Sequence, residues 1–506
     1  MKKKQFVCTA LACTFALSAF LLSSCGKKPP EEEGGGDAEW NNKEIWLSAD
    51  PLVPTSAVVL PQSGERTANV SVHDPSVFWD PLDSKYYAFG THFAFASSDN
   101  LIIWRQLASD NQPNVLYGEE RCAAPYGSFP KAIEETVNLV QPVTGAGAIT
   151  TTWAPDVEFI GGKYYMYYSL TYAFGSNKSA IARVESDYAY GPYTNNTILV
   201  ESVTSTEADK PNCIDPELFY DKDGRLWMVY GSFFGGVYIK ELYTEGERVG
   251  LPKEDGFGKL LWKNGYSAGV EGPFIFYNAT TEYYYLMVSE GDLTTVYNMR
   301  VARSKNPDGP YTDVTGADVA AMGKGNKIAG NYKFARAGTA QGYAAMGHNS
   351  VIKDGEGRYF VVYHTRRQTG TEVTAGHNLY TNRLYFNEEG WPVMAPAAYV
   401  GESAGTVTAE QVASTYEVVI HNPATVVAMA ESQDYVLAQD GTVTRGGTPA
   451  GSWTLSQNFY ITVTIDNVAY KGVVVPVWDM YAPSNGGVLA ITATSDAGVS
   501  LWALAK

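Results

Sequence analysis

Three acids occupy one kind of setting along this chain: Asp74 in Val72-His73-Asp74-Pro75, Asp215 in Cys213-Ile214-Asp215-Pro216, and Glu271 in Val270-Glu271-Gly272-Pro273. A proline follows each within two residues and restricts the backbone around it, so the carboxylate is presented at a defined angle. Taken singly, such an acid reads as a turn or strand cap that satisfies backbone donors. Three in register read as a constellation. Cleaving a glycosidic bond needs one carboxylic acid to protonate the departing oxygen, and one carboxylate to activate water or attack the anomeric carbon. A third negative charge nearby raises the pKa of the acid and keeps it protonated at working pH.

The elements that must position these acids recur. From about Val72 an apolar strand meets an Asp, Asn or Gly turn and then an aromatic strand. The pairs are Ser76-Val77-Phe78-Trp79-Asp80 with Tyr86-Tyr87-Ala88-Phe89, and Asp156-Val157-Glu158-Phe159-Ile160 with Tyr164-Tyr165-Met166-Tyr167-Tyr168. Glu217-Leu218-Phe219-Tyr220 pairs with Leu226-Trp227-Met228-Val229-Tyr230, and Pro273-Phe274-Ile275-Phe276-Tyr277 with Tyr283-Tyr284-Tyr285-Leu286-Met287. Ser350-Val351-Ile352 precedes Tyr359-Phe360-Val361-Val362-Tyr363. Ala182-Arg183 leads to Gly191-Pro192-Tyr193 as Ala302-Arg303 leads to Gly309-Pro310-Tyr311. Units that cannot bury both faces alone close around an axis, so these repeats predict an all-β fold with a five-bladed β-propeller; a sandwich or linear solenoid is the alternative. The acids sit at or just before the first strand of a unit, where a propeller gathers strand starts near its axis.

Composition agrees with that class. The 506 residues are 45% hydrophobic and 18% charged, with 35 Tyr, 20 Phe, 11 Trp and 49 Gly, which suits short strands and tight turns around at least one large core. The net charge of −17 argues against nucleic acid as a partner and is no obstacle to a neutral polymer. After Trp391-Pro392-Val393 the aromatic hairpins stop. Strands such as Tyr416-Glu417-Val418-Val419-Ile420 and Phe459-Tyr460-Ile461-Thr462-Val463 then predict a smaller C-terminal β-barrel or β-sandwich over 399–506, after a propeller over 46–398.

On these motifs residues 70–395 resemble glycoside hydrolase family 43, and within it the extracellular endo-α-1,5-L-arabinanases, which pair a five-bladed propeller with a C-terminal β module. The resemblance implies hydrolysis of internal α-1,5 links of arabinan with inversion. It makes Asp74 the general base, Glu271 the general acid, and Asp215 the residue that raises and orients that acid. Thr152-Trp153-Ala154-Pro155-Asp156 is similar to the segment whose Trp stacks on a sugar ring, though Trp153 also suits blade core. Gly347-His348-Asn349-Ser350 resembles the segment whose His reaches a central calcium ion. By ligand chemistry alone a lone His is a poor calcium site, since calcium prefers oxygen. His73, beside the base, could bond substrate or pack; His364-Thr365-Arg366 ends the last aromatic strand at pocket or surface; His92, His377 and His421 carry no signal. The same family also contains exo-acting arabinofuranosidases and xylosidases, and a non-catalytic glycan-binding lipoprotein is a reading from another class. Retention of all three acids weighs against the binder. A fructan-active relative is expected to carry a nucleophile motif unlike the surroundings of Asp74.

The N-terminus reads as an export signal over 1–24: Lys2, Lys3 and Lys4, then an uncharged apolar run from Phe6 to Leu22. Leu22-Ser23-Ser24-Cys25-Gly26 resembles a bacterial lipoprotein box, which makes Cys25 the lipidated residue. The tether over 25–45, rich in Pro, Glu and Gly, resembles signals for outer-membrane display at the cell surface, with the periplasm as alternative. Membrane contact would be through lipid alone, and the enzyme a monomer. Of five Cys, Cys122 and Cys213 remain to form one disulfide or stay as buried thiols.

Overall fold

A computed structural model describes residues 43–67, 70–109, 151–171, 174–203, 205, 210–263, 265, 267–321, 323–338 and 341–506. Cys25 and Cys122 lie outside these residues, as does the export signal. Cys213 is buried and its thiol is pushed up to about 12 by that burial, so it packs as a small apolar side chain.

The repeats fold as antiparallel sheets. Four of them have four strands each, in sequence order: 76–108, 151–201, 217–262 and 270–329. A seven-stranded sheet follows, built around Gly342–Lys353, Tyr359–Thr369, Asn378–Phe386 and Pro392–Ala398. In the first hairpin Ser76 pairs with Phe89 and Asp80 with Lys85, so alternate residues face neighbouring sheets. Buried on both faces, the second strands read as near-continuous aromatic and aliphatic runs: Tyr164 to Tyr168 and Leu226 to Tyr230 are all buried. The first strands touch one another in turn, 76–80 with 151–160, then 217–220, 270–278 and 342–353, which returns to 76–80. The arrangement is propeller-like.

Polar side chains fasten one first strand to the next. Ser350 Oγ accepts from Val77 N (3.1 Å), Ser76 donates to Asp156, Asp156 Oδ2 accepts from Leu218 N (2.8 Å), and Glu217 Oε2 accepts from Ile275 N (3.2 Å). Three of these bonds satisfy a buried backbone N–H, at Val77, Leu218 and Ile275, and the fourth ties the Ser76 hydroxyl to Asp156. Asp156 and Glu217 are thus fasteners between sheets.

The C-terminal region closes as an eight-stranded barrel from Ser414–Ile420 to Ser500–Ala505, which decides between barrel and sandwich. It shares a core with the seven-stranded sheet: Tyr332 stacks on Tyr343 (5.4 Å, 9°) and meets Trp502 edge-on (4.9 Å, 83°). Arg336, almost wholly buried, pairs with Asp479 (2.8 Å) and Glu417 (3.3 Å) across the same boundary. Near the N-terminus, the short helix Lys43–Leu47 places Trp46 against Phe276 (6.2 Å) and Tyr359 (5.9 Å), at the end of the axis away from Asp74. Among the described residues no helix is long and apolar enough to cross a membrane.

Candidate active site

The five entries to the first strands share one backbone feature. Asp74, Ala154, Asp215, Gly272 and His348 all have positive φ, at 53°, 38°, 56°, 54° and 47°. For non-glycine residues this left-handed turn is uncommon and clusters at functional sites. These positions are the true equivalents, so the register expected for the three acids needs correction. Asp74 and Asp215 match; Glu271 stands one residue earlier, level with His73 and Trp153. The slot itself is Gly272, where a Cβ would lie 3.0 Å from His348 Cγ. The glycine lets strand and imidazole approach, and Glu271 reaches the same centre from one position upstream.

The structure brings Asp74, Asp215, Glu271, Trp153 and His348 to one cleft of about 620 Å³, within the range of ligand sites. Asp74 is buried, and Thr91 donates to its Oδ2 (2.6 Å). Its Oδ1 faces three imidazoles: His348 Nδ1 at 3.1 Å, His73 Nε2 at 3.3 Å and His364 Nδ1 at 3.6 Å. Burial alone would raise the Asp74 pKa, but the charges of His348 and His73 outweigh it and hold the carboxyl well below its usual value. His348 responds in kind: burial opposes its charge, Asp74 restores it, and the pKa is pushed up to about 9.

Glu271 has the opposite setting. Ser232 donates to its Oε2 (2.7 Å), yet burial and the charge of Asp215 push the carboxyl up to about 8. Asp215 accepts from Gly272 N (3.1 Å), the backbone next to Glu271, and donates its own N–H to Ser169 Oγ (2.9 Å). Burial raises Asp215 as well, to about 6, with His348 opposing and Asp74 adding to the rise. Two carboxyl groups pushed apart in pKa across one cleft are an acid and base pair in waiting. Trp153 is half-buried at the wall, edge to face with the exposed Phe174 (6.2 Å, 65°), so it belongs to the cleft and not to blade core.

His364, left open between pocket and surface, is fully buried and accepts from Asp74 N (3.2 Å). Thr91 carried no signal in the sequence, because Gly90-Thr91-His92 has no motif. His92, also without signal, lines the cleft, as do Phe233 and Phe234.

Beneath the cleft a small axial chamber is lined by Asp74, Asp215, Glu217, His348 and Asn349. Asn349 Oδ1 is buried without a hydrogen-bond partner. An orphaned carbonyl oxygen among carboxylates suits a hard cation with water in its shell, so these residues fit calcium.

Comparison with known proteins accords with this geometry. Residues 131–392 match the model of glycosyl hydrolases family 43, and 396–503 match its C-terminal lipocalin-like domain. The chain belongs to glycoside hydrolase family 43. It is 36% identical over 470 residues to an extracellular endo-α-(1→5)-L-arabinanase of Thermotoga petrophila, covering 86% of this chain and 93% of that one. A second such enzyme, from Bacillus subtilis, is 34% identical over 86% of this chain and 92% of its own. The crystal structure of a Thermotoga petrophila endo-1,5-α-L-arabinanase superposes with a TM-score of 0.77 at 33% identity, covering 87% of this chain and all of that one. An extracellular exo-α-(1→5)-L-arabinofuranosidase of Cellvibrio japonicus is 33% identical over 69% of this chain and 91% of its own.

Proposed function

We propose that this family 43 glycosidase is an extracellular endo-arabinanase that cuts internal α-1,5-L-arabinofuranosidic bonds with inversion. The observation that carries the reading is the split between an ionised Asp74 and a protonated Glu271 on one cleft. In the forward step Asp74 Oδ1 or Oδ2 takes a proton from water as that water attacks the anomeric carbon. Glu271 gives its proton to the departing C5 oxygen, so the cleaved chain leaves as a neutral alcohol. Asp215 orients Glu271 through Gly272 N–H and keeps it protonated by its charge. Trp153 offers a face to a furanose ring.

His348 in its neutral form, with Asn349 Oδ1 as a second donor, is where calcium would be held; when bound, the ion's charge would take the place of the imidazolium's in supporting the ionised carboxylate beside it. The cyclic contact of first strands supports a five-bladed count, with the seven-stranded sheet as the fifth blade. The relatives named extracellular support a secreted or cell-surface enzyme. Lipidation at Cys25 and outer-membrane display extend that reading from the N-terminal motif.

The test is a product time course on linear α-1,5-arabinan, followed by viscosity and oligosaccharide separation, with Asp74→Asn alongside. A rapid viscosity fall with mixed oligomers, absent in the variant, is the expected result. Arabinose or a single short product from the outset would move the assignment to the exo mode of the Cellvibrio relative. A β-configured first product by NMR checks inversion.

A further inference from the structure

The nitrogen ligands around the base suggest a second ion chemistry, separate from calcium. Asp74, His73 and His364 each offer one ligand atom, and these atoms all lie within 4.8 Å of one another. Asp74 Oδ1 is 3.3 Å from His73 Nε2 and 3.6 Å from His364 Nδ1. A tetrahedral ion with bonds of about 2.0–2.1 Å to N and O separates its ligands by about 3.4 Å, so little movement is needed to seat one. Two imidazoles and one carboxylate, with His73 and Asp74 lining the cleft, form the donor set of borderline divalent transition ions. Calcium, which wants six to eight oxygens, is poorly served by it.

We propose that His73, His364 and Asp74 form an inhibitory site for a zinc-class divalent transition ion. His348 is not one of its ligands, since its Nδ1 donates to Asp74 Oδ1. His364 is suited to the role: Nδ1 accepts from Asp74 N, so the lone pair points at Asp74 and the proton sits on Nε2, which is buried with no hydrogen-bond partner. At His364, binding therefore exchanges one 3.2 Å hydrogen bond for a metal bond without moving a proton, while His73 gives up the proton on Nε2 as that nitrogen becomes a ligand. His377, whose ring lies 4.2 Å from that of His73, packs behind the ligand and helps fix its plane. An ion there takes the lone pair that Asp74 needs to accept a proton from water, so catalysis stops while the fold stays intact. The effect on rate rests on Asp74 acting as the base; the binding does not.

The site is tested by titrating the full-length protein, saturated with calcium, with Co²⁺ and following its visible d–d absorption together with arabinan hydrolysis. One Co²⁺ per chain with a tetrahedral-type spectrum is expected, and hydrolysis should fall with the same midpoint. Zn²⁺ should compete with Co²⁺, while excess Ca²⁺ should not. His73→Gln should weaken Co²⁺ binding about 10–100-fold, with circular dichroism confirming the fold; His348→Ala should keep the spectrum. Displacement of Co²⁺ by Ca²⁺, unchanged binding in His73→Gln, or an octahedral spectrum would each overturn the proposal. If metal-free enzyme fails to cut arabinan while the spectrum appears, the assignment of activity fails and the site stands. If the spectrum appears without inhibition, the inhibitory role is withdrawn.

Discussion

The two ends of the propeller axis carry the same residue type in opposite circumstances. At the cleft, Asp74 sits among three imidazoles and a threonine hydroxyl and stays ionised although buried. At the far mouth, a pocket of about 100 Å³ lined by Trp46, Phe78, Phe159 and Phe276 holds Asp156, Glu158 and Glu217. Burial raises all three; the charge of Asp156 adds to the rise at Glu158 and Glu217, whose pKa values go well above normal, and Asp156 itself is pushed up to about 6. A buried carboxylate is neutral or charged according to what faces it, and only the cleft supplies cations. One end is therefore built for proton transfer, the other for fastening strands.

Replacing the base should break the comparison most severely. Asp74→Asn keeps a residue that tolerates positive φ and can still accept from Thr91, so the fold should persist while hydrolysis of arabinan falls by about 10³–10⁴-fold. A loss of less than about tenfold in initial rate would move the base elsewhere. Glu271→Gln should cost about 10²–10³-fold on arabinan, and much less on aryl arabinosides whose leaving groups need little protonation. Equal losses on the two substrates would count against the acid role.

Chelation, or His348→Ala, is expected to lower kcat by about 10–100-fold, with calcium restoring only the chelated wild type. The pH profile sharpens the contrast further. Glu271 must be protonated to act, so activity should fall as pH rises through about 8. Asp215→Asn removes the negative charge that raises Glu271 and should shift that alkaline limb down by about one unit, measured in kcat/KM.

The smallest effect is expected at the far end. Glu217 is held protonated in the fold and ionises near its usual value when unfolded, so the native state binds the extra proton as pH rises. Its contribution to stability is fully present below the unfolded pKa and is lost as pH rises toward the folded one. Glu217→Gln keeps an acceptor for Ile275 N–H and removes that loss. Its Tm should exceed wild type by a few degrees at about pH 8 and match it at about pH 4. An equal Tm at both pH values would show that the far acids are solvated.

The repeat of apolar strand, turn and aromatic strand was readable because burial on both faces demands it, and a period in sequence becomes a period in space. Asp74-Pro75, Asp215-Pro216 and Glu271-Gly272-Pro273 were readable for a similar reason: short-range backbone restriction marks the strand entries. The chain alone also indicated a separate C-terminal β region, since its hairpins lose their aromatic pattern after Trp391. Tertiary structure decided the rest. Glu271 is one residue out of step with Asp74, a shift that appears only when left-handed entries are aligned. His364 meets Asp74 because closure of the ring brings residues 290 positions apart within 3.2 Å, at Asp74 N and His364 Nδ1, where they join Thr91, 17 positions along the chain, and the adjacent His73. Whether a carboxyl group is an acid, a base or a fastener depends on the charges and solvent around it. Those are set by neighbours from other strands, which no local pattern records.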